Sequence, residues 1–266
     1  MGQSHGLLVT SLVGRAHRCA RRGSEWITLG ALALGILAGL GTTPVAALAS
    51  IPTADVSRAT AASAVNDAMI AADLDAGERL IVLGERYAER HALGDAEAAF
   101  RGALAILEAA VGPTDPRLAD SLTALADVRS EQHDFTGAET LYRRALAVVE
   151  TAYGSEDPRV AGPLADLAGL YETWGRWDQA APLFLRLAGV FEHMLGADDF
   201  HVAMTLDHVA DAYAAQERYA EAEEFYGRVL AILAPRLGSD DPLVQHVLAE
   251  HARVRRQLEL SGTKKD

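Results

Sequence analysis

The stretch FTGAETLYRRALAVVETAYGSEDPRVA, residues 135–161, contains the pattern that decides the fold. Its first part has apolar or aromatic residues at intervals of four, which share one face of an α-helix: Ala138, Tyr142 and Leu146. Gly154 favours the end of that helix, because glycine readily adopts the left-handed conformation found there. Asp157 is placed as an N-cap, and Pro158 suits the first turn of a following helix. The stretch therefore predicts one helix, a short link and the start of a second helix.

The same pattern recurs every 42 residues without insertion. The shift aligns the link glycines and aspartates, which are Gly112, Gly154, Gly196, Gly238 and Asp115, Asp157, Asp199, Asp241. It aligns a first helix in the columns Leu118, Val160, Val202, Val244, then Leu122, Leu164, Leu206, Leu248, then Ala126, Ala168, Ala210, Ala252. It aligns a second helix in two columns, which are Ala96, Ala138, Ala180, Ala222 and Phe100, Tyr142, Phe184, Tyr226. The turn before this helix also has one aligned apolar residue in each unit: Leu93, Phe135, Trp177, Tyr219. A fixed period of this length indicates a tandem array of helical hairpins.

We expect an all-α fold, an α-solenoid of about four helical hairpins followed by a closing helix. The predicted units and flanking segments are 76–117, 118–159, 160–201, 202–243, a cap at 244–260 and a tail at 261–266. The segment 50–75 predicts a flexible tail over 50–56 and an alanine-rich leading helix over 57–74. The glycine that the period would place at position 70 is missing.

Composition agrees with helices and limits the partners. Half of the 266 residues are apolar, mainly alanine and leucine, and only 6% are aromatic, which favours helix over strand. The formal net charge is −13, and it falls to −16 without the first 49 residues. An acidic body repels phosphate backbones, so we expect no nucleic-acid partner. Because Cys19 is the sole cysteine, no disulfide can form within the chain.

The amino-terminal residues have the order of a secretory signal peptide. A basic region within 1–25 contains RAHRCARR, an apolar run occupies 26–41, and Ala47-Leu48-Ala49 provides a small-x-small site with cleavage predicted after Ala49. The apolar run is shorter than the roughly 20 residues that span a bilayer, which favours cleavage, but an uncleaved membrane anchor remains an alternative. We expect a bacterial periplasmic or secreted protein, with inner-membrane anchoring as the second possibility.

At the level of motifs the chain resembles the tetratricopeptide repeat (TPR) family. The matching residues are Leu80, Leu83, Gly84, Tyr87, Ala96, Phe100 and Ala103, and the 42-residue period is similar to the kinesin light chain subtype. The segments AETLYRRAL at 138–146 and YGSEDPRVA at 153–161 carry that likeness, which extends over about 76–260. The resemblance implies a stack of helix pairs that holds a protein or peptide partner.

In such a stack the first helix of each pair lines a concave groove. By register, the candidate groove residues are Glu78, Glu85, Asp120, Thr123, Asp127, Glu172, Met204, Asp207 and Asp211, together with Ile81, Gly162, Ala165 and Gly169. The carboxylates would favour a partner with Lys or Arg residues, and the small residues would accept apolar side chains. The alternative is an ordinary solvated face on an acidic protein.

The chain departs from the related proteins at the positions that grip ligands. The kinesin light chain pattern has paired asparagines where this chain has Thr123-Ala124, Ala165-Asp166 and Asp207-His208. The Lys and Asn set with which some relatives clamp a carboxyl terminus is also absent. The sequence therefore disfavours recognition of a free acidic tail.

Catalytic and cofactor motifs are missing after residue 49. No P-loop, dinucleotide-binding glycine turn or H-E-x-x-H pair occurs there, so we expect neither an enzyme nor a cofactor. His201, His208, His246 and His251 are not spaced as metal ligands, which favours surface histidines over a metal site. Trp174 is a possible contact residue beside a hairpin turn.

The sequence as a whole predicts an exported, non-catalytic scaffold that binds a protein or peptide in an acidic groove. A structural component that associates with itself, or helps to assemble the cell envelope, through the edges or ends of the stack is the alternative. A non-catalytic partner of an exported enzyme is a third possibility.

Overall fold

A computed structural model describes the backbone of residues 53–262 and the side chains of residues 65–261. The chain divides into the units Met1–Ala62 and Ser63–Asp266, and all of the repeats lie in the second unit. The predicted signal peptide, residues 1–49, lies outside the described residues. Over 53–262 the chain is helical and contains no strand, as the sequence predicts for an all-α fold.

Nine α-helices follow one another in the described part of the chain. They are α1 (Thr53–Glu89), α2 (Leu93–Val111), α3 (Ala119–Glu131), α4 (Phe135–Tyr153), α5 (Ala161–Thr173), α6 (Trp177–Leu195), α7 (Phe200–Ala215), α8 (Tyr219–Leu237) and α9 (Pro242–Gly262). Short 3-10 turns at Pro116–Leu118 and Pro158–Val160 precede α3 and α5. The helices form the pairs α1–α2, α3–α4, α5–α6 and α7–α8, and α9 packs on α8.

Each link between units is built from the same two devices. The link aspartate accepts a hydrogen bond from the backbone N–H two residues later, at 2.8–2.9 Å, in Asp115, Asp157, Asp199 and Asp241. The link glycine has a φ of 87–94°, which side chains rarely tolerate, in Gly112, Gly154, Gly196 and Gly238. The predicted N-capping and helix-ending roles are therefore confirmed.

The apolar core follows the predicted columns. The alanines that separate the helices are fully buried in both sets, Ala96, Ala138, Ala180, Ala222 and Ala126, Ala168, Ala210. The end of the array is the exception, because Leu248 is 40% exposed although Leu122, Leu164 and Leu206 are buried. Leu248 lies on α9, which has no second helix of its own to cover it.

Ion pairs connect the second helices of successive units. Arg144 contacts Glu108 at 2.5 Å, and one and two periods later Arg186 contacts Glu150 at 2.5 Å and Arg228 contacts Glu192 at 2.7 Å. The first two arginines also donate to a carbonyl oxygen of the intervening link, that of Pro113 or Ser155. The junctions between units thus share one polar contact as well as the apolar core.

The first helix differs from the prediction. α1 begins at Thr53, within the expected tail, and runs through the predicted leading helix into the first repeat without a break. The reason lies at position 70, where Ile70 replaces the helix-ending glycine of the other links. Gly77 and Gly84 lie inside α1 and allow close packing, since a Cβ there would lie 2.7 Å from Leu107 and 2.6 Å from Phe100. None of the described helices is long and apolar enough to cross a membrane.

Candidate functional site

The first helices place most of the predicted groove residues at the surface. Glu78, Glu85, Asp120 and Asp127 are exposed, and Glu172, Met204, Asp207 and Asp211 are partly buried. Of the small residues in the same register, Ile81, Gly162, Ala165 and Gly169 are partly buried.

Thr123 is a correction to the predicted groove. Its side chain is only 3% exposed and cannot meet a partner as the register suggested. α3 contacts α5 directly, and the equivalent residues one period away, Ile81 and Ala165, pack against the apolar core. At Thr123 this column therefore lies between successive first helices.

Two predicted groove aspartates have a structural partner. The hydroxyl of Tyr142 donates to Asp127, and 84 residues later the hydroxyl of Tyr226 donates to Asp211. Both tyrosines are buried in the second helix of their unit, so each bond ties the two helices of a hairpin together. Burial and the charge of Asp211 raise the pKa of Tyr226, which keeps its hydroxyl a donor.

Four carboxylates from three helices gather at the carboxyl-terminal end of the predicted groove. We call them the acidic cluster: Glu172 of α5, Asp207 and Asp211 of α7, and Glu250 of α9. Burial, followed by the charge of Asp211, raises the pKa of Asp207 to about 7. Burial also raises the pKa of Asp211, although the Tyr226 hydrogen bond opposes it. Within the described residues no hydrogen bond or ion pair reaches the Asp207 carboxylate.

His208 lies beside the acidic cluster and bridges two units. Its Nδ1 is 3.2 Å from Glu172, and both side chains are largely buried, at 16% and 17% exposure. Its ring stacks on Phe184 with centroids 4.8 Å apart. Burial alone would lower the pKa of His208, but the Glu172 hydrogen bond and the neighbouring aspartates outweigh it, so the pKa is raised.

The closing helix supplies residues that the groove prediction left out. Glu250 completes the cluster, and Arg253 forms an ion pair with Glu250 at 2.7 Å. The period itself contains the signal, since a shift of 42 places Glu250 in the column of His208 and Arg253 in the column of Asp211. Continuing the groove columns into the cap would have found Arg253, whereas Glu250 lies in a column that the groove prediction did not include.

The first helix of the third unit, α5, has open space at two glycines. A Cβ built on Gly162 or Gly169 of α5 meets no atom within 4 Å. Gly169 occupies the column of Asp127 and Asp211, and Phe184 replaces the tyrosine that bonds them. Gly162 and Gly169 therefore leave room for another chain to approach α5 closely.

His201 and Trp174, which the sequence also singled out, have local partners. His201 lies 2.9 Å from the capping Asp199, and among the described residues no group of three or more His, Cys, Asp or Glu side chains is arranged to hold a metal ion. Trp174 stacks on Phe135 at 5.7 Å, and the guanidinium of Arg176 lies 3.7 Å from its ring centroid.

Comparisons with known proteins agree on the fold. Among solved structures, a kinesin light chain from Podosopora anserina with nearly identical TPR-like repeats aligns with a TM-score of 0.60 at 21% identity, over 71% of this chain and 89% of that one. BtubC (BKLC) from P. vanneervenii aligns with a TM-score of 0.58 at 18% identity, over 73% and 84% of the two chains. At these identities the likeness shows the fold alone. The comparison with curated proteins found no match.

A family model decides the membership. The model described as tetratricopeptide repeat matches residues 80–151, 124–193 and 167–234. These overlapping matches extend over 80–234, which is more than half of the 266 residues. Together with the 42-residue period and the helix pairs, these matches show that the chain belongs to the tetratricopeptide repeat family.

Proposed function

We propose that this protein is an exported scaffold that binds a basic segment of another protein along its first helices, with the acidic cluster as the anchor. Its fold is typical of protein–protein interaction, and proteins of this family are generally non-catalytic scaffolds. The observation that carries the proposal is the gathering of Glu172, Asp207, Asp211 and Glu250 from three helices.

A cation from a partner would relieve an unfavourable arrangement. Burial disfavours the charged form of Asp207, and the charge of Asp211 disfavours it further, which is why the pKa of Asp207 lies near 7. Arg253 is already paired with Glu250, and His208 with Glu172. A lysine or arginine side chain from a partner would supply the missing positive charge and stabilise the ionised form of Asp207.

The neighbouring surface suits the rest of a bound segment. The open space over Gly162 and Gly169 allows a peptide backbone or an apolar side chain to approach α5 closely. Met204, partly buried on α7, adds a flexible apolar contact. The proposed ligand is therefore a segment that combines a basic residue with small or apolar residues.

The proposed location follows from the amino-terminal sequence. The basic residues, the apolar run 26–41 and the site after Ala49 support export to the bacterial periplasm or beyond. An uncleaved signal segment would instead anchor the scaffold to the inner membrane. Amino-terminal sequencing of exported protein should give Ser50 as the first residue, and a start at Met1 would contradict cleavage.

Peptide binding tests the proposed function. We expect the full chain to bind fluorescent random-sequence peptides enriched in Lys and Arg more tightly than matched peptides enriched in Asp and Glu, measured by anisotropy. The difference should shrink as salt rises, because the screening length is about 8 Å at 0.15 M ionic strength. Equal binding of the two peptide sets would overturn the proposal.

A charge-matched variant separates the groove from general acidity. Replacing four groove aspartates by asparagine should abolish the preference for basic peptides: Asp120, Asp127, Asp207 and Asp211. The control carries the same change in net charge at exposed acids outside the predicted groove: Glu156, Asp178, Asp198 and Glu224. An equal loss in both variants would show that overall charge, and no particular surface, attracts the peptides.

Self-association is a second candidate function. It is favoured by one observation, the exposed apolar side chains on α1, which include Val65 and Met69. A structural or assembly role through an end of the stack would use that surface and would leave the acidic cluster free.

A further inference from the structure

Two of the four carboxylates in the acidic cluster already have a basic partner. Glu250 forms an ion pair with Arg253 at 2.7 Å, and Glu172 lies 3.2 Å from Nδ1 of His208. Each of these two bases therefore faces a carboxylate of its own. When all four acids are ionised, the cluster keeps an excess of two negative charges even if His208 is protonated.

The excess charge falls on Asp207 and Asp211, which lie one turn apart on α7. Asp211 accepts a hydrogen bond from the hydroxyl of Tyr226, which is a neutral donor. Asp207 has no hydrogen bond or ion pair within the described residues, although burial is the main reason that its pKa is raised. A buried carboxylate without a donor costs free energy, so this side chain indicates a cationic group that the described part of the chain does not supply.

The packing of the repeats does not require an acid at position 207. The residues of the same column in the other units and in the cap are all uncharged: Ile81, Thr123, Ala165 and Ala249. A raised pKa also means that Asp207 weakens the fold when it is ionised. Because an acid here costs stability and the repeat does without one elsewhere, a binding role explains Asp207 better than packing does.

The spacing of the two aspartates determines the spacing of the cations that they can bind together. Residues four apart on a helix lie on one face, with Cβ atoms about 5–6 Å apart, and Asp207 and Asp211 have this relation. In an extended chain, alternate side chains share one face and are about 6.7 Å apart. Two basic residues separated by one residue therefore match the two aspartates, whereas adjacent basic residues of an extended chain point to opposite faces.

We infer that the acidic cluster binds two basic residues separated by one residue in an extended segment of the partner, with one cation at Asp207 and the other at Asp211. The inference rests on the proposed function and adds the pattern basic-x-basic to the partner. An isolated segment shorter than about 12 residues is seldom helical, which is why we expect the extended form. A segment with a single basic residue would leave one of the two aspartates without a cation.

Peptides of equal charge and different spacing test the pattern. Short fluorescent peptides of Thr and Ser carry two lysines that are adjacent, separated by one residue, or separated by five. Their binding to the full chain is measured by anisotropy at pH 8, where Asp207 is mostly ionised. The peptide with one intervening residue should bind about five- to tenfold more tightly than the other two, because it alone places a cation at both aspartates.

Two single variants assign the cations to the aspartates. Asp207→Asn and Asp211→Asn should each lower the affinity for the peptide with one intervening residue to that of a matched peptide with one lysine, with unchanged helicity by circular dichroism. Asp178→Asn, at an exposed acid of α6 outside the predicted groove, is the charge-matched control and should keep the full preference. A preference that survives both cluster replacements would place the cations elsewhere and overturn the inference.

The possible outcomes separate this inference from the proposed function. Equal affinity for the three spacings, with acidic peptides still bound more weakly, would overturn the inference and leave the proposed function intact. No binding of any basic peptide would overturn the proposed function, and the inference with it. Tighter binding of an alanine-rich helical peptide with lysines four residues apart would show that the partner binds as a helix, which would overturn the extended pattern.

Discussion

The surroundings of Asp207 strongly alter the chemistry of its carboxylate. Its pKa is about 7 in the folded chain, whereas an aspartate in the unfolded chain has a pKa near 4. A raised folded-state pKa means that the stability this group contributes is fully present below about pH 4 and is lost as the pH rises through 7. Above pH 7 the ionised carboxylate therefore destabilises the fold.

We predict that Asp207→Asn stabilises the protein at alkaline pH. The variant should gain about 1 to 3 kcal/mol in the free energy of unfolding at pH 8, because one of the crowded carboxylates is removed. The gain should shrink as the pH falls and vanish near pH 4, where Asp207 is protonated in both states. Urea denaturation of parent and variant between pH 4 and pH 8 measures it, and a gain that does not depend on pH would contradict the assigned cause.

Binding of a basic peptide should depend on pH for the same reason. Between pH 8 and pH 6 the affinity should fall by about three- to tenfold, because Asp207 takes up a proton that competes with the peptide cation. The peptide itself keeps its charge over this range if its basic residues are Lys and Arg. Anisotropy titrations at several pH values measure the change, and Asp207→Asn should flatten the profile.

The repeat pattern predicts those residue roles that depend on one unit alone, and not those that depend on neighbouring helices. The columns of the repeat identified the buried alanines and the capping aspartates, because these roles depend on neighbours within one unit. Thr123 was misplaced because register fixes the direction of a side chain around its helix, but the spacing of neighbouring helices determines whether it meets solvent. The sequence also could not predict the high pKa of Asp207, since it arises from burial and from carboxylates that include Glu172 and Glu250 on other helices.

At the scale of elements, α1 packs so closely on α2 that a residue larger than glycine would not fit at position 84. Gly84 stands where later units have Ala126, Ala168 and Ala210, and a Cβ on it would lie 2.6 Å from the buried ring of Phe100. The neighbouring column offers a contrast, because a Cβ on Gly169 would meet nothing within 4 Å.

We predict opposite effects for two glycine-to-alanine substitutions. Gly84→Ala should cost about 1 to 3 kcal/mol of stability, because Phe100 or α1 must move. Gly169→Ala should gain about 0.5 to 1 kcal/mol, because alanine is the better helix former and has room. Thermal unfolding of both variants measures the contrast, and a gain from Gly84→Ala would mean that α1 can shift to the spacing used in the other units.

The elements were largely predictable from the sequence, with α1 as the exception. The links were predictable because each contains glycine, aspartate and usually proline, and these residues end or start a helix through contacts with their sequence neighbours. The sequence also pointed to a leading helix before the first repeat. Its fusion with that repeat depends on Ile70 in place of a glycine, and nothing in the repeat pattern says whether a missing stop signal is replaced by another.

At the scale of the whole molecule, α9 completes the array. It covers the core of the fourth unit, which includes Tyr226, Val229 and Leu233, and it contributes Glu250 and Arg253 to the site. Removing it would expose apolar surface that no other described helix covers. An array of this kind depends on such a cap for solubility.

We predict that deleting residues 239–266 lowers the melting temperature by at least ten degrees and promotes aggregation, because a 28-residue cap and its apolar contacts are lost. Deleting only 263–266 should have no measurable effect and serves as the control. Differential scanning calorimetry and light scattering of the two deletions provide the measurement. Equal melting temperatures would show that the fourth unit is stable without α9.

The ion pairs Glu108–Arg144, Glu150–Arg186 and Glu192–Arg228 have a consequence for how such a protein can change its length. The same kind of Glu–Arg ion pair links each pair of successive units. A duplicated 42-residue block inserted at such a junction would therefore find a matching surface on both sides. Growth or loss of whole blocks therefore leaves the specialised first and last helices as they are. The number of units can evolve while the two ends of the array keep their own packing.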